Sequence, residues 1–571
     1  MPISPYDGYT AGSNWIRANQ PVVVTNIAAL RALDKTKIGY AVTKGYWLAG
    51  DGGAGEYWYD SSDTSSIDNG GTVIKASDNG RWKLIVTGPT SVKVFGAKGD
   101  GVADDTVALK AALLYSDHVY LNSGVYLISE TLTVRAGSKF VGAGCGEYDQ
   151  QGATTRVVSE LRIKANTATR GVNLGSKAHM EQILVRPEGF DAVPFYLADY
   201  PSGTGNASEG VYVGYDTGTG AGSSSISHVT VQGFSQSGLI LGVTSRVAFC
   251  NAYCCNNGYT AVGTDGWLVN SVAMFCHTTG VDIQGQYWNI SGNRFEWNAR
   301  YGVLSGGGEA TIAGNIFDRN GWAGLSLKSG AWGQVVSGNY FSRNGAGGDG
   351  TVGRWGFSSP SHPSYVATEK NASCHISIDY QRSVTITGNR FRAGGDDAQQ
   401  GVSGPCYNYS SLSSSESTKG QDCVVVGNVG DSYYESILGY SPSLYSNSGA
   451  PVGGSDSKLV EYLTAILSNK DPKVSRAVWA GTQAGTATLD ILVPVSTSGE
   501  VLLRSAIFNQ AGLSKVYFWT NAVNTGMGTS ITNINASLVS SAVLTSVDDK
   551  NNKLSLTLAT SSYCSHHVTI V

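Results

Sequence analysis

Charged side chains are scarce in this chain of 571 residues, where Asp, Glu, Lys and Arg make up only 14%, against about 25% in typical soluble proteins. Proline is also sparse, at 14 residues, and no apolar run reaches the ~18 residues of a membrane span. The formal net charge is −4 and the pI is near 6.1, so the chain lacks the basic surface that non-specific nucleic-acid binding requires. We therefore expect neither membrane insertion nor a nucleic-acid partner.

A secretory signal and a cysteine framework are also missing. Residues 1–6 lack the basic and apolar regions of a signal peptide, which predicts folding in the cytoplasm. The nine cysteines are irregularly spaced and form no pair of Cys-x-x-Cys motifs. We expect Cys250, Cys254 and Cys255 to be buried thiols that pack as small hydrophobes. The sequence predicts no metal site and no cofactor.

Glycine and aromatic residues are abundant instead. The chain has 74 glycines, 30 tyrosines and 12 tryptophans, and its hydrophobic share is 41%. That apolar content excludes a disordered chain, and the lack of a Gly-X-Y period excludes collagen. Many turn residues between β-branched and aromatic runs predict a tightly wound β protein.

The middle of the chain repeats with a period just above 20 residues. One glycine position recurs every 20 to 22 residues, at Gly238, Gly258, Gly280, Gly302 and Gly324. A Gly-Asn-x-Phe motif follows the same period and then recurs after a longer gap, with its asparagines at Asn293, Asn315, Asn339 and Asn389. Stacked β coils produce this pattern, because only stacking satisfies the backbone groups above and below each coil. We predict a parallel β-helix over residues 90–435, with these asparagines, and Asn428 as a further member, in a hydrogen-bonded ladder.

Three stretches interrupt the repeat and predict loops, at residues 203–225, 345–374 and 401–419. The second carries Trp355 and is long enough to protrude from the solenoid, as functional loops do. Beyond residue 440 the coil pattern stops. A short helix over residues 458–468 and then alternating apolar and polar residues predict an antiparallel β-sandwich at the C-terminus.

Two acidic residues occupy the same position of successive coils. Glu296 and Asp318 each follow the phenylalanine of the repeat motif, so an inward Phe turns both carboxylates outward on one face, roughly 5 Å apart. A neutral acid beside an anionic carboxylate is the machinery of a glycosidase, and their proximity raises the pKa of one of them. We predict Glu296 and Asp318 as the catalytic pair, with Asp282 as a third candidate and Glu309 in reserve.

Aromatic and basic residues surround this pair in the sequence. The aromatic faces of Trp297, Trp322 and Trp355 can pack against sugar rings, while Arg300, Arg319 and Arg343 can bind the carboxylates of an acidic polysaccharide. With Tyr301, these residues form the predicted substrate-binding set. The alternatives are that Arg319 only pairs with Asp318 or Glu296, and that the aromatic cluster binds glycan without cleaving it.

A lyase would use a different set of residues. His277 or Tyr301 would act as the base, and an arginine such as Arg294 or Arg300 would neutralise a uronate carboxylate. His277 itself is expected on the coil surface.

Residues 91–106, with the Gly-Asp-Gly turn at 99–101 and the helical pattern of 107–114, resemble the opening of pectate-lyase-like right-handed β-helix proteins. Asp105 or Thr106 can cap that helix, and Leu109, Ala112 and Leu113 lie on one of its faces. The turn signals of residues 1–90 are similar to the N-terminal modules of phage tailspike depolymerases. The whole layout is most like the capsule depolymerases of Klebsiella phages.

This resemblance implies an all-β chain with a right-handed parallel β-helix, a small N-terminal module and a C-terminal β-sandwich. The implied domains are an attachment module (1–88), a catalytic β-helix (89–440), a linker with a short helix (441–473) and a trimerisation or carbohydrate-binding domain (474–571). The implied protein is a homotrimer at the virion tail, folded in the host bacterial cytoplasm and bound to other phage tail proteins through the N-terminal module. The implied activity is depolymerisation of bacterial capsular polysaccharide. The residues favour hydrolysis, while elimination and a non-catalytic receptor spike stay open.

Overall fold

The computed structural model describes residues 21–33, 38–146, 158–190 except 166 and 169, 207–215, 222–328, 332–344, 374–378 and 383–392. Further along the chain it describes Asn428 and the backbone of the strands given below. The chain divides into two compact units, Met1–Trp267 and Leu268–Val571. Residues 345–373 of the predicted loop 345–374, with Trp355, and the predicted helix 458–468 lie outside the described residues, while Cys374 begins the strand Cys374–Ile378.

The first unit begins with a small five-stranded sheet. Leu30, Tyr57 and Trp82 are fully buried in its core, and the Asn26 side chain caps the helix Ile27–Arg31 by accepting the Ala29 N–H. In sheet order the strands are Val22–Val24, Tyr40–Thr43, Gly55–Asp60, Arg81–Leu84 and Val73–Lys75.

A helix, Thr106–Tyr115, follows a 3₁₀ turn, Val92–Phe95. The predicted face is buried, with Leu109 and Ala112 fully inaccessible. Asp105 stands at the N-cap position, but its carboxylate accepts the backbone N–H groups of Lys98 and Gly99 instead of capping the helix. Asp105 therefore fixes the preceding turn.

The rest of the first unit is a stack of coils built from three parallel sheets. The first sheet contains Thr90–Ser91, His118–Leu121, Lys139–Gly142, His179–Glu181, Ser225–Ser227 and Arg246–Ala248. The second contains Asp100–Asp104, Gly124–Ile128, Ser159–Ile163, Leu184–Pro187, Thr230–Gln232 and Asn251–Tyr253. The third contains Leu132–Val134, Arg170–Gly175, Glu209–Tyr215, Ser237–Leu241 and Asn257–Ala261.

Two predictions can be compared with this unit. The expected interruption at 203–225 is partly wrong, because Glu209–Tyr215 is a regular strand that pairs in parallel with both of its neighbours. The strand was not predicted because the glycine-rich sequence on both sides of it resembles a loop. Cys250, Cys254 and Cys255 are buried free thiols, as expected, and burial raises the pKa of Cys250 and Cys255 to about 12.

In the second unit each coil again contributes one strand to each of three parallel sheets, named walls 1, 2 and 3. Wall 1 contains Asn289–Ser291, Thr311–Ala313, Val335–Ser337, Thr385–Thr387, Val424–Val426 and Ser443–Tyr445. Wall 2 contains Val272–Met274, Arg294–Glu296, Ile316–Asp318, Tyr340–Ser342, Arg390–Arg392 and Val429–Gly430. Wall 3 contains Thr279–Ile283, Tyr301–Ser305, Ala323–Leu327 and Cys374–Ile378. The strand Trp267–Val269 contains the boundary of the two units.

The core of the second unit is a column of phenylalanines on wall 2. Phe295, Phe317, Phe341 and Phe391 are register partners with ring centroids 5.2, 4.5 and 5.2 Å apart. Each is at most 2% exposed. The core also contains His375, whose ring centroid lies 6.1 Å from that of Phe341 and 5.5 Å from that of Phe391.

The predicted asparagine ladder is confirmed at the turns between walls 1 and 2. Each side-chain amide donates to the Oδ1 atom of the next asparagine at 2.9–3.0 Å, along the series Asn293, Asn315, Asn339, Asn389 and Asn428. A second ladder, which sequence reasoning missed, joins Asn298, Asn320 and Asn344 at the turns between walls 2 and 3. The sequence signal was an asparagine five residues after each of Asn293, Asn315 and Asn339.

Residues 394–435 contribute two short strand pairs, with two of the strands inside the predicted loop 401–419, and residues 475–570 form two antiparallel sheets. Gly394–Gly395 pairs with Pro405–Cys406, and Tyr409–Ser411 pairs with Tyr433–Glu435. One C-terminal sheet contains Ser475–Gly481, Cys564–Ile570, Ser498–Ile507, Gln510–Thr520 and Met527–Asn533. The other contains Gly485–Pro494, Asn551–Thr560 and Val539–Ser546. Antiparallel strands were predicted here. Among the described residues, no helix has the length and apolarity needed to cross a membrane.

Candidate functional site

Glu296 and Asp318 end two adjacent strands of wall 2 and are register partners. Phe295 and Phe317, one position earlier, point into the core and are fully buried. Because side chains alternate between the two faces of a strand, both carboxylates lie on the outer face, on strands ~4.8 Å apart. The structure therefore brings the two acids together on one wall.

Both carboxylates are covered despite their outer position. Glu296 is 6% exposed and Asp318 is 7% exposed. Glu296 accepts a hydrogen bond from Nε of Arg294 at 2.8 Å, two residues earlier on the same strand face. The Arg294 side chain itself is 57% exposed, so solvent screens this contact.

Asp318 is held more firmly, by two guanidinium groups. Arg343, from the next coil, donates from Nε to Oδ1 at 2.9 Å and from Nη2 to Oδ2 at 2.6 Å. Arg319 also pairs with Oδ2. All three side chains are at most 13% exposed, and such bidentate, shielded contacts fix the orientation of a carboxylate.

The two carboxyl groups therefore differ in their electrostatic surroundings. Burial raises the pKa of Glu296 above its ordinary value, the neighbouring charge of Asp318 raises it further, and Arg294 opposes both. The charge of Asp318 is neutralised by its two arginine partners. Burial thus favours the protonated form of Glu296, whereas the Asp318 carboxylate is paired with two guanidinium groups.

Trp297 and the two arginines share an unusual turn geometry. Trp297, Arg319 and Arg343 directly follow the wall 2 strands and hold left-handed φ angles of 57°, 55° and 54°. The Arg319 guanidinium lies 4.7 Å from the centre of a Trp297 ring. Of the two alternatives for Arg319, the structure shows the pairing with Asp318. Trp297 is 9% exposed, so little of its ring is available to a ligand.

Three other predicted binding residues form a separate cluster where wall 3 begins. The Arg300 guanidinium lies 4.9 Å above the Trp322 ring, and Tyr301 packs edge-on to Trp322 with centroids 5.2 Å apart. Leu304 packs against the same cluster. Tyr301 and Trp322 are each 9% exposed, which leaves Arg300 as the more accessible member.

The remaining candidate acids and the candidate histidine lie away from the pair. Asp282 is on wall 3, where burial raises its pKa and the Gln284 amide donates to it at 2.8 Å. Glu309 is in the turn between walls 3 and 1. His277 was expected on the coil surface, but in the turn between walls 2 and 3 it is only 7% exposed.

Further residues of the outer face of wall 2 were missed as candidates. Ser342 and Arg392 continue the column of Glu296 and Asp318, while Tyr340 and Arg390 form the neighbouring column. Arg390 and Arg392 are exposed. The Ser342 hydroxyl is buried without a hydrogen-bond partner among the described residues. The repeat alignment could have found these positions, because each lies one residue to either side of a core phenylalanine.

No group of three or more His, Cys, Asp or Glu side chains in the described part of the chain is arranged to hold a metal ion.

Three family models match the chain in succession. The phage tail protein small four-stranded beta-sheet domain matches residues 23–87, and the rhamnogalacturonase A/epimerase, pectate lyase-like family matches residues 90–349. The right handed beta helix region matches residues 279–456. A phage tail module is thus joined directly to a pectate-lyase-like β-helix. These matches identify the chain as a phage tailspike.

Solved tailspikes share this fold. The tailspike resembles the enzymatically active domain of bacteriophage CBA120 tailspike protein 2, with a TM-score of 0.56 and 14% identity, over 98% of this chain and 90% of that chain. Full-length tailspike protein 2, from a bacteriophage of Escherichia coli O157:H7, is similar with a TM-score of 0.57 and 15% identity. This match covers 97% of this chain and 81% of that chain. At these identities the likeness shows the fold, and it agrees with the predicted right-handed parallel β-helix.

Two curated relatives match shorter segments of the tailspike. The Mu-like prophage FluMu defective tail fiber protein of Haemophilus influenzae is 32% identical over 133 residues, which is 22% of this chain and 21% of that protein. A non-secreted LysM effector of Penicillium expansum is 36% identical over 84 residues, 14% of this chain and 7% of that protein. The tailspike thus spans about a fifth or less of the length of either relative.

Proposed function

We propose that this tailspike binds and depolymerises a bacterial surface polysaccharide at the outer face of wall 2, by hydrolysis. One observation carries the proposal. Glu296 and Asp318 are register partners in unlike surroundings: burial raises the pKa of Glu296, and two arginines pair with Asp318. Glycoside hydrolysis requires one neutral and one ionised carboxyl group beside the scissile bond.

The reaction divides between the two groups as follows. Protonated Glu296 donates its proton to the glycosidic oxygen as the bond from the anomeric carbon to that oxygen breaks. Ionised Asp318 attacks the anomeric carbon or activates the water that does so, and the water supplies the new hydroxyl. The strand spacing of ~4.8 Å is near the carboxyl separation of retaining enzymes, about 5 Å. Arg319 and Arg343 act as positioning residues, because they orient the Asp318 carboxylate.

The exposed charges of wall 2 favour an acidic substrate. Arg294, Arg390 and Arg392 are exposed on the outer face that carries the two acids, and Arg319 and Arg343 are engaged with Asp318. An anionic polymer would be attracted to this face and oriented along it. The predicted binding role of Arg319 and Arg343 therefore passes, in this proposal, to the exposed arginines.

The proposal also includes the predicted attachment to other tail proteins, the location at the virion tail and the homotrimer. The match of residues 23–87 to a phage tail domain supports attachment to other tail proteins and a location at the virion tail. Assembly as a homotrimer rests on the family resemblance alone, as does any link to Klebsiella capsules.

The decisive experiment uses the full chain and a panel of purified bacterial capsular and O-antigen polysaccharides. Loss of viscosity identifies a cleaved polymer, and Glu296→Gln and Asp318→Asn should each lower the cleavage rate by about 100-fold or more. Asp265→Asn, at an exposed turn acid, is the matched control and should cleave normally. Circular dichroism confirms that all three variants are folded.

Mass spectrometry of the products separates the remaining alternatives. A saturated product that has gained one water supports hydrolysis, whereas an unsaturated end shows elimination and overturns the assignment of the acids. If wild-type protein retains a polysaccharide without cleaving it, the chain is a receptor spike and the enzymatic proposal is wrong.

A further inference from the structure

Two large aromatic side chains are exposed on the edge of the solenoid between walls 3 and 1. Tyr287 is 51% exposed and Trp332 is 43% exposed. Both precede strands of wall 1, in turns two coils apart. This edge is separate from the outer face of wall 2, where Glu296 and Asp318 lie.

Backbone hydrogen bonds join each turn of this edge to the turn of the next coil. The Tyr287 N–H donates to the Gly308 carbonyl at 3.2 Å, and the Glu309 N–H donates to the Trp332 carbonyl at 2.6 Å. Gly308 and Glu309 thus lie between the two aromatic residues, which are separated by two coil spacings, roughly 10 Å. That distance is about the length of a disaccharide.

Gly308 allows the indole of Trp332 to lie flat against the backbone. A Cβ atom at Gly308 would lie 2.9 Å from Nε1 and 3.1 Å from Cε2 of Trp332, which is too close for a real side chain. One face of the indole is therefore supported by backbone, and the exposed remainder of the ring is held rigidly on the surface.

Two acceptor atoms in these turns lack partners within the described part of the chain, one at the edge in Glu309 and one beneath it in the fully buried Gln334. Oε2 of Glu309 and Oε1 of Gln334 have no hydrogen-bond partner among the described residues, although each atom is buried from solvent. The amide nitrogen of Gln334 donates to Ser305 Oγ at 2.9 Å and to the Gly307 carbonyl at 2.6 Å, which orients the amide. Buried acceptors without partners are costly, at about 1–3 kcal/mol each, unless a ligand or water satisfies them.

The backbone conformation of this turn does not require a glutamate at position 309. Its φ angle is 53°, in the left-handed region that favours glycine, and Gly333 holds the equivalent position in the next coil with a φ of 66°. A glycine would meet the backbone requirement of the turn without strain. The glutamate therefore contributes its carboxylate, not its backbone conformation.

We propose that Tyr287, Glu309 and Trp332 form a second glycan-binding site on this edge, which takes an uncharged stretch of polysaccharide. The two rings stack on sugar faces and the Glu309 carboxylate accepts hydrogen bonds from sugar hydroxyls. The negative charge of Glu309 disfavours uronate residues, in contrast to the arginine-bearing wall 2. The proposal does not depend on a catalytic role for Glu296.

A sugar chain fits this edge better than a protein partner does. A protein interface needs a contiguous apolar core that excludes water, whereas here the carboxylate residue Glu309 lies between two aromatic residues along the solenoid. Rigid aromatic faces separated by hydrogen-bond acceptors match the alternating apolar faces and hydroxyl edges of a polysaccharide.

The test uses full-length protein on a glycan array of neutral and acidic bacterial polysaccharides. Trp332→Ala and Tyr287→Ala should each weaken retention of the best-bound neutral or mixed polymer by at least about tenfold. Trp47→Ala, which removes a similarly exposed indole from the N-terminal module, should bind as wild type does. Glu309→Gln keeps an acceptor and should retain more binding than Glu309→Leu.

Each other outcome would overturn the proposal. Normal retention by Trp332→Ala and Tyr287→Ala would do so, as would retention of no glycan by the wild type. A change of oligomeric state in Trp332→Ala, measured by light scattering, would assign the edge to contacts between copies of this chain. Glu296→Gln should lower cleavage without lowering array retention, so failure of the catalytic proposal remains distinguishable from failure of this one.

Discussion

Arg343 donates two hydrogen bonds to Asp318 across one coil spacing, from Nε to Oδ1 at 2.9 Å and from Nη2 to Oδ2 at 2.6 Å. Glu296, the register partner of Asp318 on the other side, is paired with the exposed Arg294 instead. Glu296 and Asp318 occupy equivalent positions of adjacent coils, but Glu296 pairs with an exposed arginine and Asp318 with a shielded one. That inequality is the physical basis for assigning them different chemical roles.

Removing Arg294 should move the pH dependence of cleavage. Burial raises the pKa of Glu296, and Arg294 lowers it by stabilising the ionised form. Arg294→Met should therefore raise that pKa further. Since the general acid must be protonated, the alkaline limb of kcat/KM should shift to higher pH. The profile of kcat/KM against pH measures this, with Arg135→Met in the first unit as a control that leaves the limb in place. A shift to lower pH would contradict the role of Glu296.

Removing Arg343 should destabilise the second unit. Arg343→Met deletes two charge-assisted hydrogen bonds to a carboxylate that is 11% exposed, which should cost about 1–3 kcal/mol of unfolding free energy. Arg319 remains to offset part of the charge. Arg390→Met, at an exposed position of the same wall, should change stability by less than about 0.5 kcal/mol. Chemical denaturation followed by tryptophan fluorescence compares the two variants, and equal midpoints would show that the pairing with Arg343 contributes little.

Substitutions in the asparagine ladders should lower the stability of the protein more than Arg343→Met does. Asn315→Ala leaves the Ile290 carbonyl and the Asn293 N–H, both buried, without their side-chain partners. Each loss should cost about 1–3 kcal/mol. Asn320→Ala tests the second ladder in the same way, through the Phe295 carbonyl and the Asn298 N–H. Thr311→Ala, at an exposed position, is the control. Thermal unfolding at one fixed scan rate ranks the three, and a normal melting temperature for Asn315→Ala would contradict the ladder.

Acid should destabilise the chain through His375. Burial lowers the pKa of His375 from its ordinary 6.5 to about 3, so the folded state favours the neutral imidazole. The stabilising contribution is fully present above pH 6.5 and is lost as the pH falls from 6.5 toward 3, by about 1.4 kcal/mol per pH unit. His375→Leu removes this titration. Unfolding midpoints measured between pH 7 and pH 4 should fall less steeply for the variant, and parallel curves would contradict the prediction.

The fold was predictable because the repeat length determines which residues become neighbours. A winding of about 22 residues brings Phe295 onto Phe317 and Asn293 onto Asn315, and both contacts are present. The same arithmetic gave the pairing of Glu296 with Asp318. The strand Glu209–Tyr215 escaped prediction because its flanking glycine-rich sequence resembles a loop.

The position of the candidate site could be predicted from the sequence, but the contacts of its side chains could not. Arg319 and Arg343 were assigned to substrate, yet both bind Asp318. Trp297 and Trp322 were expected to present ring faces, yet each is 9% exposed. Trp297, Arg319 and Arg343 hold left-handed φ angles in the turns after the wall 2 strands, and both arginines pair with Asp318 from there. A spacing pattern carries no information about these contacts.

Periodic sequence alone thus established the coil, the phenylalanine core, the first asparagine ladder and the placement of two acids on one wall, because stacking converts equal intervals along the chain into neighbours. Tertiary structure alone decided that Glu296 is buried, that Arg343 holds Asp318, that His375 lies within the core and that Tyr287 and Trp332 face outward. The reason is that burial and ion pairing arise from three-dimensional contacts between coils, which turn geometry sets and composition does not.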